Sequence, residues 1–498
     1  MVRARRRVAV AAVVSAAALT VTTVVAAEAA PSRFSSQRID NVIYLLGDGM
    51  GRTHVTAGRD RFYGASGSLN MERLPVVGQV RTYAVQENSG QPGEADFEPE
   101  YVTDSASSAT AWASGVKTYN AALGVDAKAA VVPTVMEQAK DEGYRTGNVS
   151  TAEITDATPA SQMSHVLLRG CQGPSYSAAS CQNTDVTGGA ELPTRDVRVI
   201  PVADQIARNG TADVILGGGL ARFDASDEKA LRKQGYEVLG SPATQTVATG
   251  EDLASARRSK VFGLFNKGNL TIEKFKRENP DSAEADEPTL PEMTRKAIDL
   301  LDRGNGRKGF YLQVEGALID KRSHANDAAQ TLQEIKAFDD AVKVAVDFAR
   351  RDRHTLVVVT ADHECAGFGI VEKGTFTNAE ATTPPVNVDS GNPANSSTTP
   401  VRTSQTKDPA RSTGPVNGSG RTNPANFAPA TFRTADDPAS VQDGSPDASL
   451  WLTYLSGNHT GEDVPLFAYG PRSRTLANTI ENTDLFDVVT GALRLDRY

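Results

Sequence analysis

Short apolar runs recur along the chain at residues 41–46, 76–83, 145–150, 214–219, 310–315, 355–360 and 464–469. Runs of this length read as strands, and those at 41–46 and 355–360 have the uninterrupted apolar character of strands buried on both faces. Between them, apolar residues return at helical spacing. Val132, Val135, Met136 and Ala139 share one face of a helix over 133–143, which Gly143 stops. Residues 290–302 and 338–349 are amphipathic in the same way, residues 53–75 read as mixed and helical, and 482–493 as a closing helix. Residues 196–263 continue as α/β units, and Gly217-Gly218-Gly219 lacks the spacing of a nucleotide-binding loop. Residues 87–100, rich in Gly, Pro and Glu, read as a surface loop.

Candidate chemistry collects where these elements end. Asp48 follows the run at 41–46, on the strand edge where α/β sheets bind ligands. Ser105 heads a run of small helix-compatible residues, 105–114, and is predicted to be the N-cap, with its hydroxyl at the positive end of the helix. Thr158 precedes Pro159 and reads as a second N-cap. Glu315 ends a strand and offers a hard oxygen donor. Asp320 and His324, four apart, share a helical face and can chelate one ion. Asp362 and His363 are adjacent, so both reach one ion only if the chain leaves strand geometry there. Arg169 carries the planar fork that suits phosphate oxygens.

Six blocks decide between structural and chemical readings of these residues: LLGDGMG (46–51), VTDSASSATAW (102–112), GNVSTAEITDATPA (147–160), LQVEGALIDKRSH (312–324), TADHE (360–364) and NHTG (458–461). Together, and in this order, they resemble the bacterial alkaline phosphatases. The resemblance implies an α/β fold, a three-layer α/β/α sandwich around a large, mostly parallel sheet. It implies hydrolysis of phosphate monoesters at alkaline pH through a phosphoserine on Ser105, releasing inorganic phosphate. It assigns Asp320, His324 and His459 to one zinc ion, Asp48, Asp362 and His363 to a second, and Asp48, Thr158 and Glu315 to magnesium. Imidazole with carboxylate suits zinc and an all-oxygen set suits magnesium, which agrees with that sorting. Arg169 would hold two phosphoryl oxygens, Asp104 would position the arginine, Lys321 would touch phosphate through water and pair with Asp156, and Asp156 would hold magnesium-bound water from outside the ligand set. The family is commonly homodimeric.

Composition narrows the rest. The 498 residues carry a net charge of −9, so no basic nucleic-acid surface is expected. Arg3, Arg5, Arg6 and Arg7 precede an Ala/Val-rich stretch to about Ala27, read as a signal peptide over 1–29, with a retained anchor as the alternative. The catalytic domain would then span 30–498, secreted or periplasmic, with no membrane span after cleavage. In an exported protein, Cys171 and Cys181 read as a disulfide closing a short loop, a pair that the matching family region also carries. Cys365 is left over as a buried free thiol, a site of oxidation or a neighbour of zinc. Residues 373–450, rich in Thr, Ser, Asn, Pro and Gly, read as a flexible, poorly packed insertion. A phosphodiesterase of the same superfamily is the nearest rival, and Arg169 argues against it. A sulfatase would need a Pro two residues and an Arg four residues after its nucleophile, which are absent here. A catalytically silent exported protein binding zinc or phosphate is the rival from another class.

Overall fold

A computed structural model describes residues 38–303, 308–374, 391–396 and 430–495. The expected signal peptide and much of the expected insertion lie outside these residues. The central sheet has ten strands: β1 (Asn41–Gly47), β2 (Val76–Arg81), β3 (Arg145–Glu153), β4 (Val214–Gly218), β5 (Glu237–Leu239), β6 (Val261–Leu264), β7 (Phe310–Gly316), β8 (Thr355–Thr360), β9 (Val464–Tyr469) and β10 (Thr479–Glu481). Their order across the sheet is β10-β2-β9-β8-β1-β7-β3-β4-β6-β5. All neighbours are parallel except those of β9, which runs against both β8 and β2. Strands β1, β7 and β8 are buried at every position. That is the state the unbroken apolar runs of β1 and β8 require, because helices cover both faces of a parallel sheet; β7 buries Gln313 and Glu315 as well. This is the expected α/β architecture.

The helices that frame the site are α1 (Arg52–Tyr63), α2 (Ser105–Ser114), α3 (Leu290–Leu301), α4 (Leu318–His324), α5 (Ala328–Asp352) and α6 (Asp484–Leu493). Helix α5 packs against α1, α3 and α4. It is longer than the expected 338–349 because the Asp327 carboxylate caps it by accepting from the Gln330 N–H. Its first half carries Gln330 and Glu334, polar residues that are nevertheless buried and that mask the apolar stripe.

Two expected caps move. Asp104, not Ser105, caps α2, its carboxylate accepting from the Ser107 N–H, so Ser105 is the first helical residue. Asp156, not Thr158, caps the short helix Ala157–Ala160 by accepting from the Ala157 N–H. In both cases a carboxylate just upstream outcompetes a hydroxyl for the free N–H groups.

The described parts of the stretch 373–450 are packed rather than loose. Strand Ala430–Phe432 pairs with Leu450–Thr453, which pairs with Gly369–Ile370. Phe432, Leu450 and Leu452 join Leu332, Phe368 and Tyr454 in a second small core. Arg61 grips Asp443 through two bonds of 2.7 Å. Buried Asn395 donates to the Leu270 carbonyl and accepts from the Ile272 N–H. Low apolar content is offset here by side-chain hydrogen bonds, which composition does not reveal.

Candidate active site

Four adjacent parallel strands, in the order β8-β1-β7-β3, end side by side, and each delivers acids or hydroxyls to the same edge. Asp48 follows β1, Glu315 lies at the end of β7, Asp362 and His363 follow β8, and Asp156 and Thr158 follow β3. The chain leaves strand geometry after Thr360, as Asp362 and His363 require. Helix α4 leads off β7 and brings Asp320, Lys321 and His324 over the same edge, while His459 arrives on a short ladder in which Glu364–Cys365 pairs with His459–Thr460.

Two donor clusters result. In the first, the His324 Nε2 lies 3.2 Å from one Asp320 oxygen and the His459 Nε2 3.6 Å from the other. The two Nε2 atoms are 3.1 Å apart. Each ring is fixed from behind: His324 Nδ1 donates to the Gly457 carbonyl at 2.8 Å and His459 Nδ1 to the Thr103 carbonyl at 3.0 Å. A carbonyl only accepts, so in the neutral rings Nδ1 holds the proton and the Nε2 lone pairs face one another beside a carboxylate. That arrangement suits a cation at their meeting point. In the second cluster, His363 Nε2 lies 3.1 Å from Asp362 Oδ2 and 3.7 Å from Asp48 Oδ1. Asp362 Oδ1 is held by the N–H groups of Gly49 and His363. The ligand atoms of each cluster lie within 4.8 Å of one another.

Buried atoms without a hydrogen-bond partner mark the same places: Asp48 Oδ1, Asp320 Oδ1, Asp362 Oδ2 and Thr158 Oγ1. Four orphaned oxygens beside converging imidazole Nε2 atoms fit divalent cations. Burial, then the neighbouring Asp362, Asp320 and Glu315, pushes the Asp48 carboxyl well above its usual range. Burial likewise moves Glu315 up to about 7, although Ser150 donates to it. This concentration of buried acid is uncomfortable unless positive charge is supplied.

Ser105 Oγ sits 3.2 Å from His363 Nε2, buried at the start of α2. Arg169 lies in a turn, not on the helix after Thr158, and its own N–H donates to the Ala121 carbonyl. Its Nη1 donates to Asp104 at 3.1 Å and its Nη2 to Asp156 at 2.8 Å. Lys321 Nζ donates to the other Asp156 oxygen at 2.7 Å. Burial raises the Asp156 carboxyl, but Lys321 and Arg169 outweigh it and hold the group well below the usual carboxylate range. The anchoring of Arg169 leaves a second N–H on each Nη free to meet an anion.

The structure thus gathers every residue singled out in the sequence as ligand, nucleophile or anion holder. Cys171 and Cys181 form a disulfide. His354 stands apart and hydrogen-bonds to the Arg38 carbonyl. Sequence reading missed Asn120, whose side chain accepts from the Asp104 N–H at 2.8 Å and donates to the Val102 carbonyl at 3.0 Å, strapping down the loop before Ser105. No local pattern announces it, because its partners become neighbours only when the chain turns back after α2.

The alkaline phosphatase family model matches residues 39–495. The chain belongs to the alkaline phosphatase family. It is 34% identical to the alkaline phosphatase of Escherichia fergusonii, over 94% of this chain and 89% of that protein. It is 38% identical to the streptomycin-6-phosphate phosphatase of Streptomyces griseus, over 68% of this chain and 76% of that one. Its fold matches the solved alkaline phosphatase of Thermus thermophilus with a TM-score of 0.64, 23% identity and 93% of each chain covered. A mutant of the alkaline phosphatase from the Antarctic bacterium TAB5, solved with magnesium in a site named M3, matches with a TM-score of 0.60 and 25% identity, over 93% of this chain and 99% of that one. Membership makes this chain a phosphoric monoester hydrolase with groups of metal-binding residues. Among the described residues no helix is long and apolar enough to cross a membrane.

Proposed function

We propose that the enzyme hydrolyses phosphate monoesters at alkaline pH through a phosphoserine on Ser105, with zinc held by Asp320, His324 and His459, a second zinc by Asp48, Asp362 and His363, and magnesium by Asp48, Thr158 and Glu315. The observation that carries this reading is the position of Ser105 Oγ, 3.2 Å from His363 Nε2 and on a helix whose capping acid also anchors Arg169. Cations held by these residues would supply positive charge that favours the serine alkoxide and the departing oxygen and lowers the pKa of water.

The chain's own groups do the rest. Ser105 Oγ gives up its proton, which leaves by way of solvent on the departing alcohol, and forms a bond to phosphorus while the bond from phosphorus to the ester oxygen breaks. The free N–H groups of Arg169 hold two non-bridging oxygens and match the charge of a monoester dianion. Asp104 and Asp156 fix that fork before substrate arrives, so no reorientation is needed during reaction. Water then attacks the phosphoserine from the vacated side; its hydroxyl stays on phosphorus as inorganic phosphate leaves, the phosphorus–Oγ bond breaks and the water's other proton goes to Ser105 Oγ. Export after loss of residues 1–29 and assembly as a homodimer belong to the same reading.

The test is turnover of p-nitrophenyl phosphate and of its bis-ester at pH 7–10, with chelation and with zinc and magnesium restored. Fast monoester turnover, lost on chelation and in Ser105→Ala, is expected. Arg169→Ala should weaken monoester turnover more than diester turnover. A preference for the diester would move the enzyme to the phosphodiesterase branch, and metal binding without turnover of either ester would leave a silent binding protein.

A further inference from the structure

The sulfur of Cys365 belongs geometrically to the first donor cluster. It lies with Asp320, His324 and His459 in one group whose ligand atoms are all within 4.8 Å of each other. Five further observations point the same way. Cys365 is directly opposite His459 in the two-stranded ladder, and opposed residues in an antiparallel pair project from the same face. Its neighbour Glu364 turns to the other side, where its carboxylate accepts from the Gly367 and Phe368 N–H groups and from the Thr460 hydroxyl. Asp320 Oδ1 is buried with no hydrogen-bond partner, so the cluster still has an oxygen that needs positive charge. The thiol is fully buried and outside the Cys171–Cys181 disulfide; it faces Asp320, interacting with its carboxylate and lying 3.8 Å from its carbonyl. Gly49 keeps the space between these groups clear: a Cβ there would come within 2.8 Å of both Asp320 Oδ1 and the Cys365 Cβ.

We propose that Cys365 Sγ is a fourth protein donor of the centre formed by Asp320, His324 and His459. The set is then one carboxylate, two imidazoles and one sulfur, which selects a thiophilic divalent ion such as zinc or cadmium and disfavours magnesium and manganese. The inference rests on the metal-ion reading of that cluster given above. On binding, the S–H bond breaks, its proton goes to solvent and the sulfur lone pair is shared with the ion, with no change of oxidation state. With four protein donors, an oxygen ligand would enter by expansion to a fifth position, which catalytic zinc centres reach in some transition states.

The experiment uses the full chain, stripped with a chelator and reloaded with cobalt(II), which reports thiolate ligation by a charge-transfer band in the near ultraviolet. Wild type is expected to show that band together with the weaker visible bands of a low-symmetry cobalt site. Cys365→Ser should lose the near-ultraviolet band and keep the visible ones, and Cys365→Ala should do the same. Zinc affinity, measured by competition with a chromophoric chelator, should fall by at least about tenfold in both variants. Identical spectra for wild type and Cys365→Ser, with cobalt bound to both in equal amount, would show that the sulfur is not a ligand and would overturn the proposal while leaving the metal centre intact. Cobalt that binds wild type no better than His324→Ala would instead remove the metal-ion reading on which it stands.

Discussion

A single carboxylate, Asp156, holds both Arg169 and Lys321, the cationic groups proposed to meet the substrate. One oxygen accepts from Arg169 Nη2 and the other from Lys321 Nζ, at 2.8 and 2.7 Å. The same side chain caps the helix that carries Thr158. Replacing it by asparagine removes the charge but not the shape, so one oxygen still meets Arg169 while the amide nitrogen faces Lys321 and cannot accept from it. Lys321 is thereby released. For Asp156→Asn we expect a loss of about tenfold or more in kcat/KM for monoesters, from a charge-assisted bond worth roughly 1.5–3 kcal/mol. The inhibition constant for inorganic phosphate should change with it, since the lysine would be free to turn to the anion. Steady-state kinetics with phosphate as inhibitor check this; unchanged constants for both would mean that Lys321 is held in place by its surroundings rather than by Asp156.

Elements place the site, and the element furthest from expectation tests how. The segment 391–396 lies inside the stretch that composition marks as loose, yet Asn395 is buried, with two side-chain bonds to the backbone of residues 270 and 272. Its carbonyl also accepts from Arg322 on α4, the helix that carries Asp320 and His324. Asn395→Ala leaves a buried N–H and a buried carbonyl unpaired, and should destabilise the fold by about 1–3 kcal/mol. Urea unfolding measures the change; a midpoint within error of wild type would show that the segment is an ornament. The strands were legible because parallel strands buried on both faces run largely apolar, as the interiors of β1 and β8 do, while β7 stays recognisable despite its buried Gln313 and Glu315. The candidate ligands were legible because six local blocks carry chemistry at fixed spacing. What escaped are contacts between distant segments. Asn395 against Ile272, Asn120 against Asp104 and Cys365 opposite His459 depend on how loops meet, and no local periodicity encodes that. The two misplaced caps failed for a simpler reason: where an acid stands within a few residues of a serine or threonine, charge decides which one takes the helix end.

The whole molecule must remain folded at the alkaline pH where the chemistry is proposed to run, and its buried charges divide on that question. Removing divalent ions leaves Asp48, Glu315, Asp320 and Asp362 crowded together, so chelation should lower Tm, with zinc and magnesium restoring it. Calorimetry with and without chelator checks this. Away from the site, two groups respond to pH in opposite senses. His165 Nε2 meets Glu137 at 2.9 Å and Nδ1 meets the Gly124 carbonyl at 2.8 Å. Burial lowers its pKa, but the bond to Glu137 wins and the net shift is upward, so its contribution is present in acid and is lost as pH rises through the raised value. Lys117 does the reverse. Its side chain is fully buried beside the C-terminal end of α2, donating to the Tyr83 carbonyl at 2.8 Å, lying over the Tyr83 ring and 3.5 Å from Glu481. Burial pulls its pKa down to about 8, against the partial restraint of Glu481. The unfolded chain keeps that proton up to the ordinary 10.5, so between the two values the unfolded state binds more protons and stability rises with pH. The gain amounts to about 3 kcal/mol at 1.36 kcal/mol per unit. Urea unfolding of wild type and Lys117→Met from pH 7.5 to 10.5 isolates it. The difference in stability between the two should shift by that amount in favour of wild type across the range, with most of the change above pH 8. A constant difference would mean that Lys117 keeps its proton in the fold, and that the alkaline stability of this enzyme is built elsewhere.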